Sequence, residues 1–252
     1  MKCAWGQSTF APPITVQHEI DRAWSTMRQK PGVHLFDGKM CRLEWLWMNS
    51  NELGMELSET SYKNFVGTNM HNPHFAAQYG QKAMANPLGI SVALISADGF
   101  LVMGRRNERV AYYPGRIHPF AGALEPEDGL EIFKAVEREL NEELGLAAIE
   151  IRKLICLGMA EDRGLAQPEL ILHGEAEKTL EELRSGVDEV EHDALVAIEA
   201  RREVFELELE GAKLYTPKLA RGKLYTPIAL ATILLCGRER FGSEWFDAVF
   251  HS

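Results

Sequence analysis

The stretch Arg138-Glu139-Leu140-Asn141-Glu142-Glu143-Leu144-Gly145-Leu146 constrains this chain more than any other. Glu139, Glu142 and Glu143 fall at i, i+3 and i+4, a spacing that sets three carboxylates on one face of a helix, a few ångströms apart. Ile132, Phe133, Val136, Leu140 and Leu144 recur at helical spacing on the opposite side, which predicts an apolar face turned into a core. Asp128 with Glu131 reads as a capping box at the start, and Gly145 as the left-handed residue that stops the helix. Three like charges repel, so a cation belongs among them. Clustered oxygen donors suit a hard divalent ion, Mg²⁺ or Mn²⁺, rather than zinc. Such an ion clamps a diphosphate and activates a water, so one helix would both anchor in the core and carry the chemistry.

The remaining chain limits the partners of that helix. With 252 residues, 46% hydrophobic and 25% charged, it reads as globular, with room for one large or two small domains. A net charge of −10 argues against nucleic acid or an anionic membrane as partner, and an anionic small molecule would need a metal bridge. Cys3, Cys41, Cys156 and Cys236 show no C-x-x-C spacing, which predicts reduced thiols and a cytoplasmic protein rather than zinc or a disulfide framework. The first ten residues lack the basic start and apolar run of a signal peptide, and no run is long enough for a membrane helix. The apolar residues 228–236 read as a core helix.

Periodicity along the chain predicts a helix over 14–29 that ends before Pro31-Gly32. A small β-meander should follow, over 34–36, 40–48 and 55–57, punctuated by Asp37-Gly38 and Asn49-Ser50-Asn51. A helix begins within 60–65, residues 70–84 give no clear signal, and a boundary falls near Ala85. Beyond it, 90–95 and 100–103 form a hairpin around Ala97-Asp98-Gly99. Strands over 149–159, 170–173 and 191–198 alternate with helices over 176–184 and from 201 onward, the order of an α/β/α sandwich. The division predicted is an N-terminal α+β extension, 1–85, followed by a catalytic domain, 86–252. The echo of Lys213-Leu214-Tyr215-Thr216-Pro217 in Lys223-Leu224-Tyr225-Thr226-Pro227 reads as two turns before helices, with a sugar or nucleotide pocket as the minor alternative. Acidic runs near Glu181 and over 188–193 read as solvated faces.

Residues 138–146 match the pattern R-E-apolar-x-E-E-x-G-apolar, and in this the chain resembles the Nudix hydrolases, phosphoanhydride-cleaving enzymes. The front half of the box departs from the family: its Gly and Glu positions hold Leu124 and Leu130, and the nearest substitutes are Gly122 and Glu131 across a longer loop. Three further segments resemble the UDP-glucose/UDP-galactose hydrolase branch. They are Thr60-Ser61-Tyr62-Lys63-Asn64-Phe65-Val66-Gly67-Thr68-Asn69, Asn86-Pro87-Leu88-Gly89-Ile90 running on to Arg105-Arg106, and Arg109-Val110-Ala111-Tyr112-Tyr113-Pro114-Gly115.

The resemblance implies a Nudix fold and Mg²⁺- or Mn²⁺-dependent cleavage of a UDP-sugar to UMP and a sugar 1-phosphate. It also implies roles. Arg138 orients the carboxylates; Glu139 and Glu143 bind metal, and Glu142 completes the cluster. The Ala121 carbonyl and Glu169 join as ligands, with Glu161 and Asp162 as rivals to Glu169. Either Glu139 or Glu143 acts as general base, and Arg105 and Arg106 hold phosphate. His71 and His74 lack matching ligands nearby and are not read as a metal site. The box alone equally permits ADP-ribose, NADH, CoA or a dinucleotide as substrate. A binding module without turnover is disfavoured, since all three box glutamates persist.

Overall fold

The computed structural model describes residues 1–29, 35–49, 52–187, 192–213 and 224–251. They pack as two compact units, neither continuous in sequence. The first comprises Met1–Gly89, Ala123–Ala135 and Glu161–Pro168; the second comprises Ile90–Gly122, Val136–Ala160 and Glu169–Ser252. The N-terminal segment thus packs together with two short pieces drawn from far along the chain.

In the first unit, strand β1 (Lys2–Trp5) lies parallel to β3 (Leu53–Ser61), which pairs antiparallel with β2 (Lys39–Met48). The meander is therefore longer than its sequence signal and gains a strand that alternation did not mark. Residues 35–38 are not strand; Pro31-Gly32, His34 and Ser50-Asn51 lie outside the described residues. Helix α1 (Ile14–Arg28) buries Val16, Ile20 and Met27. Val16 and Ile20 join Phe75, Ala83 and Met84 in one apolar cluster. Helix α2 (Tyr62–Phe65) starts at Ser61, whose hydroxyl accepts the Asn64 N–H, and runs into a π-helical turn, Val66–Met70. The stretch without a clear sequence signal contains α3 (Phe75–Tyr79) and a 3-10 turn, Gln81–Ala83.

A buried polar clamp ties this unit together. Asn69 Oδ1 accepts the Asn86 N–H at 3.1 Å, and Asn69 Nδ2 donates to the Ala166 carbonyl at 2.9 Å. The Thr68 hydroxyl accepts the Ala85 N–H at 3.1 Å and donates to the Asn64 carbonyl at 2.7 Å. Asn86 and Ala166 both adopt left-handed backbone, with φ of 40° and 49°. Such conformations persist only where neighbouring contacts hold them, and Asn69 grips both.

The second unit is built on a seven-stranded sheet. Its strands are β4 (Gly89–Ile95), β5 (Phe100–Arg106), β6 (Ile117–His118), β7 (Phe120–Ala123), β8 (Ile151–Asp162), β9 (Gln167–Ala176) and β10 (His192–Glu199). The main order is β10-β5-β4-β9-β8, with β6 beside β5 and β7 beside β4. Every residue of β4 is buried, so both faces of the sheet are covered. Helix α4 (Ile132–Leu144) carries the acidic triplet, α5 is Leu180–Arg184, and α6 (Arg202–Lys213), α7 (Pro227–Phe241) and α8 (Ser243–Phe250) close the chain.

The period-2 alternation of β5 assigns the faces. Leu101 and Met103 pack with Phe205 of α6, Ile233 of α7 and Trp245 of α8. Gly104 points the other way, toward the His192 ring, which Glu143 of α4 contacts. Helix α4 therefore lies on the opposite face from the C-terminal helices, and this unit is the α/β/α sandwich that strand–helix alternation predicts.

The apolar residues 228–236 fall within α7, as a core helix, and Thr226 caps it through the Ala229 N–H with Pro227 at its first turn. That is the turn-before-helix reading of the second half of the echo; residues 214–217 of the first half lie outside the described residues. No helix among the described residues is long and apolar enough to cross a membrane. The four cysteines are thiols, Cys41 and Cys236 buried and the other two half-buried.

Candidate active site

Helix α4 departs from expectation at its start. The capping arrangement sits upstream, where the Glu125 N–H donates to Asp128 Oδ2 at 2.9 Å around a 3-10 turn, Pro126–Asp128. Gly129 and Leu130 then follow with φ of 64° and 66°, two successive left-handed residues that swing the chain into the helix. Leu130 stands where the Nudix box has Glu, so the irregular front half of the motif coincides with an irregular backbone. Ile132, Val136, Leu140 and Leu144 are buried as expected, but Phe133 is 39% exposed and Ala135 takes its place in the core. A position one residue along rotates about 100° around the axis, and Phe133 lies at the stripe's margin. The stop is as expected: Gly145 has φ of 60°, and its N–H reaches the Asn141 carbonyl at 2.9 Å.

The three glutamates differ sharply in environment. Glu143 is 4% exposed; its Oε2 accepts the Ala121 N–H at 2.9 Å, and its Oε1 lies 3.0 Å from His192 Nε2. Glu139 is also largely buried, 3.0 Å from Arg138 Nη1, and lies so close to Gly122 that a Cβ there would fall on its carboxylate. Glu142 is 58% exposed and 3.2 Å from the same Arg138 nitrogen. Arg138 thus bridges two of the three carboxylates. Burial pushes Glu139 up to about 8; Arg138 opposes the shift, while the charges of Glu143 and Glu142 add to it.

Among the described residues, no three acidic, histidine or cysteine side chains converge into a metal-ligand cluster. The donor chemistry nonetheless fits a hard divalent ion. The box supplies carboxylate oxygens, and burial together with the charges of Glu143 and Glu142 disfavours the ionised form of Glu139, a cost that a bound cation would offset.

Ala121 is half-buried on β7, with its N–H committed to Glu143. Glu169, on β9, is buried and accepts the Ser91 hydroxyl. Asp162 is buried as a turn residue, its Oδ1 accepting the Gly164 N–H at 2.8 Å, while Glu161 is exposed. Arg105 is exposed on β5. Arg106 is buried, its Nε donating to the Tyr112 carbonyl at 3.1 Å and its guanidinium 4.5 Å from the Tyr112 ring centre. His71 sits 3.4 Å from the Met27 sulfur and His74 stands edge-on to Phe75.

His192 is the residue that sequence reasoning missed. The run 191–198 reads as a strand, and nothing in its alternation marks one histidine at its start as a neighbour of the box. Only the pairing of β10 with β5 brings it under α4. Its neighbour His118 is held well below the usual histidine range by burial and by the charges of Arg106 and His192; its Nδ1 lies 2.8 Å from the Thr226 hydroxyl.

No protein-family model matches the chain. Uridine diphosphate glucose pyrophosphatase NUDT22 of Mus musculus is 30% identical to it over 220 residues, covering 73% of this chain and 70% of the mouse protein. The protein of the same name from Homo sapiens is 31% identical over 173 residues, 57% of each chain. A solved mutT/nudix family protein from Listeria innocua superposes with a TM-score of 0.44 at 15% identity, over 62% of this chain and 94% of its own. Through its curated relatives the chain belongs to the Nudix hydrolase family, and it is a pyrophosphatase of that family.

Proposed function

We propose that this enzyme hydrolyses the diphosphate of a UDP-sugar, UDP-glucose or UDP-galactose, to UMP and a sugar 1-phosphate. The observation that carries the reading is the 30% identity over 220 residues to a uridine diphosphate glucose pyrophosphatase, which spans both sequence halves rather than the box alone. In sequence terms the proposed division is an N-terminal extension, 1–85, and a Nudix domain, 86–252.

Glu139, Glu142 and Glu143, with the Ala121 carbonyl and Glu169, would hold Mg²⁺ or Mn²⁺. When bound, the ion offsets the charge of the diphosphate and raises the acidity of water. Arg138 keeps Glu139 and Glu142 turned toward each other against their mutual repulsion. Glu143 has one oxygen held by the Ala121 N–H and the other by His192, so it serves as a fixed carboxylate. That leaves Glu139 as the better placed of the two candidates to take the proton of the attacking water. The water oxygen forms the new bond to phosphorus, the bridging P–O bond breaks, and its electron pair leaves on the departing phosphate. Exposed Arg105 is the member of the basic pair suited to meet a phosphate from solvent; Arg106 is engaged by Tyr112.

Comparing kcat/KM over a panel of UDP-sugars, ADP-ribose and dinucleotides with Mg²⁺ tests the proposal. UDP-glucose or UDP-galactose should exceed ADP-ribose by at least about tenfold, a preference needing only about 1.4 kcal/mol. A tenfold advantage for ADP-ribose or a dinucleotide over every UDP-sugar would overturn the substrate reading.

A further inference from the structure

We propose that His192 is the positioning residue of the active site, fixing the Glu143 carboxylate in the orientation that metal binding requires. The inference rests on the metal role proposed above for Glu143. His192 opens β10 and pairs with Arg106 of β5; the register then slips between His192 and Ala194, an irregularity that re-aims the chain at the sheet's edge. The imidazole is buried and lies over Gly104, where any Cβ would collide with the ring. The Phe120 ring stands edge-on at 5.1 Å and 74°, on the strand that also supplies Ala121. Glycine beneath and phenylalanine beside thus form a slot for one imidazole, and the slot points Nε2 at Glu143 Oε1, 3.0 Å away. An ionised carboxylate only accepts, so Nε2 carries the hydrogen and donates it.

The consequence is rotational. The Ala121 N–H alone would leave Glu143 a choice of carboxylate rotations about its held oxygen. A second donor on Oε1 removes that choice, and it comes from a ring whose own rotamer is packed. Donors behind a metal-binding carboxylate or histidine set its orientation and basicity, and losing one typically costs about 10–100-fold in affinity or activity.

The test compares His192→Leu, which fills the slot without a donor, with His192→Gln, whose amide NH₂ takes the place of Nε2–H. Mn²⁺ affinity is measured on the substrate-free protein by electron paramagnetic resonance, alongside kcat and KM for UDP-glucose. His192→Leu should weaken Mn²⁺ binding about tenfold or more and lower kcat with little change in KM, while His192→Gln should recover most of both. If His192→Leu does not fold, His192→Asn, whose shorter amide falls short of Glu143, replaces it with the same expectation. Wild-type Mn²⁺ affinity in the Leu or Asn variant, or equal losses in these and the Gln variant, would overturn the positioning role while leaving the metal reading intact. Absence of Mn²⁺ binding by the wild-type protein would overturn both.

Discussion

Two buried polar clusters, one in each compact unit, show how differently buried hydrogen bonds can be used. Around Asn69 every named partner is neutral: two backbone N–H groups, two carbonyls, a hydroxyl and amides meet with donors matched to acceptors. Around Glu143 and Glu139 ionisable groups meet one another, His192 at Glu143 and Arg138 at Glu139, and burial has pushed one carboxylate up to about 8. A neutral, closed network fixes backbone in shapes it would otherwise leave. A charged one, largely kept out of water, is on the reading proposed above completed by a bound cation. The sequence segments around Asn69 and Asn86 that resemble UDP-sugar hydrolases therefore have a structural task within the first unit. Their presence speaks for kinship more than for a base pocket.

Each cluster can be broken separately. The largest expected effect is on the charged one: exhaustive chelation should lower turnover roughly a thousandfold, and Mg²⁺ or Mn²⁺ should restore it, since such an ion supplies several kcal/mol of transition-state stabilisation. Full activity after chelation would remove the metal from the account. Next comes the neutral cluster. Asn69→Ala strips partners from the Asn86 N–H and the Ala166 carbonyl, at about 1–3 kcal/mol each. Tm in calorimetry should fall by about 5 °C or more while kcat changes less than about threefold. An unchanged Tm would deny the clamp.

A smaller effect follows from Glu139. Its folded-state pKa lies above the unfolded value, so between pH 4.5 and 8 the unfolded chain holds fewer protons and the group's contribution to stability is lost as pH rises through that window. A bound cation favours the ionised form. The Mg²⁺-induced rise in Tm should therefore be greater at pH 8 than at pH 6, by about 3 °C, and Glu139→Gln should abolish the difference. Equal shifts at both pH values would contradict the electrostatic reading. Smallest of all, Phe133→Ser should lower stability by only about 1 kcal/mol in denaturant titration, less than truncation of the fully buried Leu140, because the ring is already partly in solvent.

What the sequence disclosed follows the range of the interactions involved. Helix α4, its glycine stop, the β4–β5 hairpin and the core run of α7 are set by local period and turn chemistry, and the sequence reading located all four. Strand β1, four residues of mixed exposure, has no alternation to read, and it exists because β3 lies beside it. The irregular approach to α4 depends on successive left-handed residues, one of them Leu130, which composition does not signal. Within the site, Glu139, Glu142 and Glu143 were legible because one helix carries them all. His192 was not, since forty-nine residues separate it from Glu143 and only strand pairing closes the gap. Arg105 and Arg106 were legible as a pair but not as opposites; the pleat of β5 exposes one and buries the other.

The most direct measurement sets Glu143→Gln beside Asn69→Ala and reads kcat/KM for UDP-glucose with saturating Mg²⁺, each variant first verified as folded by circular dichroism. Glu143→Gln preserves volume while removing the charge, and should lower kcat/KM by at least about a hundredfold. Asn69→Ala should lose Tm and keep its rate. Wild-type kcat/KM in folded Glu143→Gln would contradict the central claim that the buried, charged cluster is the catalytic one.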